Sequence, residues 1–577
     1  MPSITKKTPH LGLSPWCNAC EDDILQGEST ILFLGHEKVM FRALTRPFDL
    51  PPLGPATTKV NGFLLCQNLR CRTCDTSPEC AAVHYQCFKT FVKYCELPIY
   101  QALDYLWTIA FFRRPWAKTP RLYLKPQRRV NYGELRRIAY NTDLAGLQSM
   151  PLELLDMIRQ FSPHTYLWRL ITVLDLSRRA TTSAQPLSTL ALQSIESWKR
   201  GEQPAIVLNK SRTAVRIIID SDGIRKIECL SAQPGFVQES SSHQAYIVEE
   251  AARLSGVKVH IKDGLLRLHL PSSTISLPIW DTPCPPKLAD CYFQPKLRQH
   301  WQRFRTANLE ETRGMTFFYS MGRICGIYAH SLTETCALSI FERFSKTLQP
   351  YLVWIYLPIA RKDRIIELGT RKVTNDGLCI RVCTELSGVS VLGPHYQSAT
   401  DDRWFCSSKP VSLAFNEPSD NQRSPVSLGA YNPSCSATEE PRQLEPLHYE
   451  QQHIGHFTYF SSAPLNEIYC AYVFEDEGNG LCRGILFEYI SGGSQAVGQC
   501  RLGVDLRRKY ILPSAICFRT SSWKDCRGRH LYGVQVDLGV CSASSHPSQE
   551  TWQCRVLSDA RTLHFWFTEE RSVLCII

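Results

Sequence analysis

Hydrophobic residues recur at helical spacing in two stretches before residue 180, and after residue 200 they form short alternating or continuous runs of strand length. The most regular helical stretch is 150–179, MPLELLDMIRQFSPHTYLWRLITVLDLSRR. Leu152, Leu155, Ile158 and Phe161 recur at three-residue steps and predict an apolar stripe down one side of a helix. Pro151 stands where that helix would begin, a position that tolerates proline because its missing N–H would be unbonded anyway. Ser162-Pro163 ends it, since the residue before a proline is pushed out of the α region. Tyr166, Leu167, Leu170, Ile171, Val173 and Leu174 then predict a second helix. A helix–break–helix unit of this size cannot bury its own faces and should dock on something.

Upstream, Ala102, Leu103, Leu106, Trp107, Ile109 and Ala110 make a helical face that runs to Arg113-Arg-Pro-Trp116. Trp107 and Trp116 read as core anchors and not as platforms for nucleic-acid bases. Residues 117–148 are basic and interrupted by proline, as in a hinge, and 187–200 reads as helical. Nearer the N-terminus, Ser29-Thr-Ile-Leu-Phe-Leu34 and Lys38-Val-Met-Phe41 predict a short hairpin.

From residue 200 the chain predicts antiparallel β-structure. Asp222-Gly223 lies between the runs 214–220 and 224–230, and Asp263-Gly264 divides 257–270; Asp-Gly between apolar runs is a strong hairpin signal. Trp280-Asp-Thr-Pro283 reads as a turn. Residues 313–322 (RGMTFFYSMG) align with 483–492 (RGILFEYISG), each followed by a second glycine-containing run, which suggests duplicated β-units. Further short strands are expected at 353–359, 363–369, 378–382, 389–393, 532–538, 563–567 and 572–577. Residues 399–448, rich in Ser, Pro, Asn, Glu and Gln, read as a flexible surface insertion. This alternation resembles β-prism lectins of the jacalin type, which would imply carbohydrate as a ligand; the competing reading is a sandwich or barrel used for protein contacts.

Composition narrows the class. A chain of 577 residues should hold three or four units, and 44% apolar with 21% charged residues predicts a mostly globular one. Net charge is +11, but Lys and Arg are scattered, so no nucleic-acid partner is expected. The opening MPSITKKTPHLGLSP lacks the apolar core of a secretory signal. The longest apolar stretch, 351–360, contains Pro358 and is too short to span a bilayer, so no membrane association is expected. A cytoplasmic or nuclear location follows, where clustered cysteines indicate metal and scattered ones act as small buried hydrophobes.

The 25 cysteines are not evenly spread. Cys17-x2-Cys20 is followed downstream by Cys66-x4-Cys71-x2-Cys74-x5-Cys80-x3-His84-x2-Cys87. An x2 bend places two ligands on one side at tetrahedral separation, the signature of structural zinc. Eight ligands suffice for two ions: Cys17 and Cys20 with His84 and Cys87, and Cys66, Cys71 and Cys74 with Cys80. The alternative is one site with the remaining thiols buried or free. A RING would need a Cys-x-His-x2-Cys centre and a closing Cys-x2-Cys, and a fungal binuclear zinc cluster would need Cys-x2-Cys-x6-Cys twice; the chain has neither. Four protein ligands leave no open coordination position, so any zinc is read as structural.

Residues 150–179 resemble an F-box, the adaptor-binding motif of cullin–RING ubiquitin ligase receptors. Pro151, Glu153, Leu154, Leu155, Ile158, Leu167 and Val173 match its pattern in order and approximate spacing. Met150 replaces the leading Leu, and the usual Cys-Arg-x-Trp ending is reduced to Asp175, Ser177, Arg178 and Arg179. Together with the cysteine pairs and Arg114-Pro115-Trp116, residues from 15 to about 200 resemble a group of fungal proteins that carry an F-box-like motif behind a cysteine-rich N-terminus. The resemblance implies a Skp-type adaptor and its cullin–RING ligase as partners, docked through Pro151, Leu152, Leu154, Leu155, Ile158, Leu167 and Val173. A protein client would be held by the β-rich region. A zinc-stabilised binding protein with a lectin-like or protein-binding β-domain and no link to ubiquitin is the alternative.

No phosphate-binding Gly-x4-Gly-Lys loop, dinucleotide glycine motif or His-Glu-x2-His is present. Gly492-Gly-Ser-Gln-Ala496 is followed by a strand pattern and not by the helix of a nucleophile elbow, so it reads as a hairpin. Asp363 and Glu367 would be roughly 13 Å apart on a strand, too far for a catalytic pair, and read as a solvated face. No enzyme is expected. The predicted fold is multidomain α+β: a cysteine/histidine-rich zinc-stapled unit (1–100), a helical connection (101–148), an F-box-like helical segment (149–200), and a large antiparallel β-rich region (201–577), sandwich, barrel or prism-like.

Overall fold

The computed structural model describes residues 10–577 apart from 37–39, 53–57, 67–70, 76, 118, 120–121, 125–130, 143, 163–164, 181–185, 207–212, 238, 272–276, 295–302, 332–335, 373–376, 396–400, 406–411, 418–425, 433–456, 525–529, 540–551 and 558–560. The chain is β-rich, with many short sheets and a minority of helix. It divides into two compact units, Met1–Pro234 with Glu239–Pro283, and Gly235–Gln238 with Cys284–Ile577. The cysteine-rich segment, the helices and the first β-hairpins share the first one.

In that first unit strand Ser29–His36 is central. It pairs antiparallel with Met40–Leu44, Phe48–Asp49 and Glu79–His84, and the hairpin predicted at 29–41 is its first pairing. Helix Ile99–Phe112 packs beside it, with Leu106, Trp107 and Ala110 buried as the apolar spacing predicts. Gly35 makes room for this, because a Cβ there would lie 2.1 Å from Cζ2 of Trp107. Trp116 is likewise buried. Strands Lys258–Lys262 and Leu265–His269 form the predicted Asp263-Gly264 hairpin, and both residues of the turn take positive φ. Lys262 bonds Asp104 at 2.6 Å, while Arg267 stacks its guanidinium 3.4 Å from the Phe111 ring and pairs with Glu79.

Helices Leu152–Phe161 and Tyr166–Arg179 form the predicted helix–break–helix unit, and Tyr132–Asn141 joins them, its N-terminus capped by the Asn131 side chain. Leu135, Ile138, Leu155, Trp168, Ile171 and Leu174 make a small core between the three, while Val173 and Leu176 face the main core of the unit. Beyond Arg179 the helical expectation fails. Residues 187–200 contain strands Ser188–Ala191 and Ile195–Lys199, which pair with Lys258–Lys262 and Gly223–Leu230. A single 3-10 turn, Leu192–Ser194, separates them and sets Leu192, Ile195 and Trp198 three apart, which imitates a helical period.

Among the described residues the larger sheets of the second unit share an extended hydrophobic core, including Phe317, Ile355, Ile380, Phe415, Phe487 and Phe565, beside smaller clusters around Trp354 and around Phe474. Both halves of the suspected repeat are central strands of antiparallel arrays. Gly314–Ser320 lies between Arg323–His330 and Val353–Pro358, and Cys482–Tyr489 pairs with Ile468–Glu475 and Ser494–Gly498. A closer match of geometry joins Ala214–Asp220/Gly223–Leu230 to Gly314–Ser320/Arg323–His330. Each has a register shift at the same place, Ile218/Ile219 and Phe318/Tyr319; a positive-φ glycine opens the second strand of one, Gly223, and closes the turn of the other, Gly322.

The insertion expected at 399–448 contains strands Asp401–Trp404, Ser412–Glu417 and Leu428–Tyr431, with Leu413, Phe415 and Leu428 in the core; 433–448 lies outside the described residues. The polar composition hid strands too short to dominate it. The C-terminal run is tied into a sheet as predicted, Ser572–Ile576 pairing with Thr562–Phe567. Cys517 and Cys554 oppose one another across two strands as a disulfide, a departure from the expectation that cysteines outside the clusters are buried thiols. Among the described residues no helix is long and apolar enough to cross a membrane.

Candidate metal centre and helical surface

Two groups of four side chains could each hold a metal ion: Cys17, Cys20, His84 and Cys87, all buried, and His10, Cys66, Cys71 and Cys74, of which Cys66 alone is fully buried. Within each group the ligand atoms lie within 4.8 Å of one another. Tetrahedral zinc with Zn–S of about 2.3 Å would set sulfurs about 4 Å apart, so both donor sets fit such an ion.

The first group joins two bends. Glu21 N–H donates to the Cys17 carbonyl at 2.9 Å, and Glu21 takes φ 65°, closing a tight knuckle that carries Cys17 and Cys20. His84 ends strand Glu79–His84, and Cys87 sits in the first turn of helix Tyr85–Tyr94, so the x2 spacing spans the junction. Nδ1 of His84 lies 3.4 Å from Sγ of Cys20 and 3.8 Å from Sγ of Cys87. Burial alone would raise the Cys17 thiol, but hydrogen bonds from Cys20, Cys87 and His84 hold it well below the usual thiol range. Those same bonds to Cys17 push Cys20 and Cys87 upward. A divalent cation held here would let all three sulfurs ionise.

The second group is assembled by a parallel pairing. Strand His10–Gly12 runs beside Phe63–Cys66, which forms a hairpin with Thr58–Val60 through Asn61-Gly62, both at positive φ. Cys71 and Cys74 share the bend of the short helix Arg72–Asp75, and His10 Nδ1 lies 3.5 Å from Cys71 Sγ. Burial raises the Cys71 thiol, but bonds from the Cys74 backbone, His10, Cys74 and Cys66 outweigh it and bring it to about 6.

The first group is the set the sequence predicts. In the second, His10 takes the place expected for Cys80. Cys80 instead donates to the Gly12 carbonyl at 3.4 Å, and burial pushes its thiol up to about 11. His10 stands alone in the sequence with no x2 partner, so a pairing of distant strands was needed to reveal it.

The buried group is wired to the helical hairpin. The other ring nitrogen of His84, Nε2, lies 3.1 Å from Glu28, whose second oxygen accepts from Arg169 at 2.7 Å. Arg169 also donates to Asp22 at 2.8 Å, beside the Cys17–Cys20 bend. A carboxylate on the far nitrogen of a ligand histidine fixes its tautomer and ring orientation. From the opposite side Arg113 bonds the Asn18 carbonyl and, at 2.6 Å, Glu21. The knuckle is thus held by two arginines, one of them in the first turn of helix Tyr166–Arg179.

On the hairpin itself the predicted stripe does not lie on one face. Three residues advance a helix by about 300°, so four positions at three-residue steps wrap halfway round it. Leu155 is fully buried and Ile158 half-buried, whereas Leu152 and Phe161 point to solvent. Leu167 packs against the small core and Val173 is buried in the main one. Of the positions matched to the F-box pattern, Pro151, Glu153 and Leu154 are exposed. Leu154 (46% exposed), Met157 (49%) and Phe161 (84%) form one solvent-facing apolar row, to which the sequence pattern pointed only through Leu154 and Phe161.

Asp363, read as solvated, is buried and accepts from the backbone of Arg364 and Leu386 and from the Ser387 hydroxyl at 2.7 Å. Ser494 opens a strand of a hairpin, as expected. Neither a scan of protein-family models nor a search of curated proteins finds a match to this chain.

Proposed function

We propose that this chain is a zinc-stapled receptor whose helical hairpin docks a Skp-type adaptor of a cullin–RING ubiquitin ligase, leaving the β-rich region to hold a client. The exposed row Leu154, Met157 and Phe161 is the observation that carries the reading. These side chains face solvent on a helix otherwise anchored by Leu155, and an apolar helix row of this spacing suits a partner's groove. Pro151 and Leu154, matched to the F-box opening, belong to the same exposed surface. Leu155, Ile158, Leu167 and Val173 serve the docking indirectly, by holding the hairpin rigid. Both metal groups take zinc as structural ions, because cysteine with histidine is a zinc donor set and neither group leaves a coordination position open. The role is one of binding and not of catalysis, in the cytoplasm or nucleus, where ligand thiols stay reduced.

The test is co-purification of the full chain with the adaptor, with zinc measured on the same sample. Adaptor at one to one and two zinc ions per chain support the proposal. Zinc without adaptor would leave a metal-stapled binding protein with no ubiquitin role.

A further inference from the structure

Among the described residues, strand Leu506–Ile511 pairs only with Ile468–Glu475, at the edge of its seven-stranded sheet. The Leu512 N–H donates to the Tyr469 carbonyl at 2.9 Å, which fixes the phase of the ladder. Hydrogen-bonded pairs alternate in an antiparallel ladder, so Arg507, Lys509 and Ile511 point their N–H and C=O groups away from the sheet. That outward ladder runs about 13 Å. All of the strand but Tyr510, which packs against the core of the unit, is exposed.

The two faces differ. On one, Arg507 and Lys509 lie 4.8 and 5.7 Å from the Tyr472 ring, and neither has a carboxylate partner among the described residues. Glu488 reaches this ring, at 3.5 Å from the Tyr472 hydroxyl. On the other face Arg508 is neutralised by Glu475, with Asp537 3.7 Å away, and Leu506 is exposed. An edge defended only against association would carry charge in place of apolar side chains; this one carries both, with Ile511 exposed on the face of the two cations and Leu506 exposed on the opposite face.

We propose that this edge binds an extended acidic segment of a partner protein as an added strand. Its carboxylates would lie over Arg507 and Lys509, and its alternating aliphatic side chains would lie on the opposite face, beside Leu506. Backbone pairing supplies affinity in such additions and side-chain alternation supplies selectivity. The inference does not depend on adaptor docking, because the edge can be titrated with no adaptor present.

The experiment is fluorescence anisotropy of labelled Glu-Val-Glu-Val-Glu-Val-Glu with the full chain. Saturable binding is expected. It should weaken at least tenfold with Arg507→Glu plus Lys509→Glu, and at least tenfold with Ile511→Pro, which keeps both cations. The Ile511 N–H points outward, so proline there removes a donor to the peptide without breaking the sheet, and an unchanged thermal melt checks this. Absence of binding, or binding indifferent to Ile511→Pro, overturns the proposal. So does tighter binding of single-stranded oligothymidylate that survives Ile511→Pro, which would assign the basic and aromatic face to nucleic acid.

Discussion

Replacing Arg169 with alanine should loosen the helical hairpin without emptying the buried metal group. Arg169 makes two charge-assisted bonds, 2.8 Å to Asp22 and 2.7 Å to Glu28, with its own side chain 13% exposed. Bonds to charged groups contribute about 1.5–3 kcal/mol each. Glu28 is partly open to solvent and keeps its contacts with Leu25 and His84, so screening and the remaining partners reduce the loss. We expect about 2 kcal/mol in all, equivalent to roughly a thirtyfold rise in the opening equilibrium of the helix. The assay is hydrogen exchange across 152–179 in the zinc-loaded full chain, with zinc content measured in parallel. Faster exchange in that segment at unchanged zinc content is the predicted result, and Arg169→Lys should recover part of the protection. Equal protection in Arg169→Ala and the parent would refute the wiring from His84 through Glu28 to the hairpin.

Three further outcomes follow from the geometry. Leu155→Ala should cost about 2–5 kcal/mol in urea unfolding and Leu154→Ala under about 0.5 kcal/mol, because only the first leaves a cavity; equal costs would contradict the placement of the two side chains. Burial would raise the Glu417 carboxyl, but Arg303, Arg305 and Arg343 outweigh it and hold it at about 2. Between about pH 4.5 and 2 the unfolded chain therefore binds more protons at this group than the folded one, and the contribution present above pH 4.5 is lost as pH falls. It is on the order of 3 kcal/mol, so the stability gap between the parent and Glu417→Gln should narrow over that window in pH-resolved denaturation. Cys517 and Cys554 close a loop of 37 residues, for which the chain-entropy relation gives about 4 kcal/mol; reduction should lower the melting temperature of the parent and leave Cys517→Ser with Cys554→Ser unmoved.

Local chemistry was the legible part of the sequence. Cys17-x2-Cys20 and His84-x2-Cys87 declare themselves because each pair is fixed by one bend, and the Asp-Gly hairpins because their turns need positive φ. What depends on distant pairing was not legible. His10 becomes a candidate ligand only through a parallel strand partner, and Ser188–Lys199 looks helical until its strands find theirs. Leu152 and Phe161 look like one stripe with Leu155 because a three-residue step approximates a helical turn, and the error grows with each repeat. The strands within 401–431 escaped notice because a few core residues, such as Leu413 and Phe415, sit among polar neighbours.

Docking through the exposed helix row is tested by the affinity of the adaptor for the zinc-loaded full chain, measured by calorimetric titration against Leu154→Asp with Phe161→Asp. Both side chains are exposed, so the variant should fold and keep its zinc. We predict one-to-one binding to the parent and at least a hundredfold loss in the variant. Absence of binding to the folded, zinc-loaded parent, or equal binding to both proteins, would contradict the account.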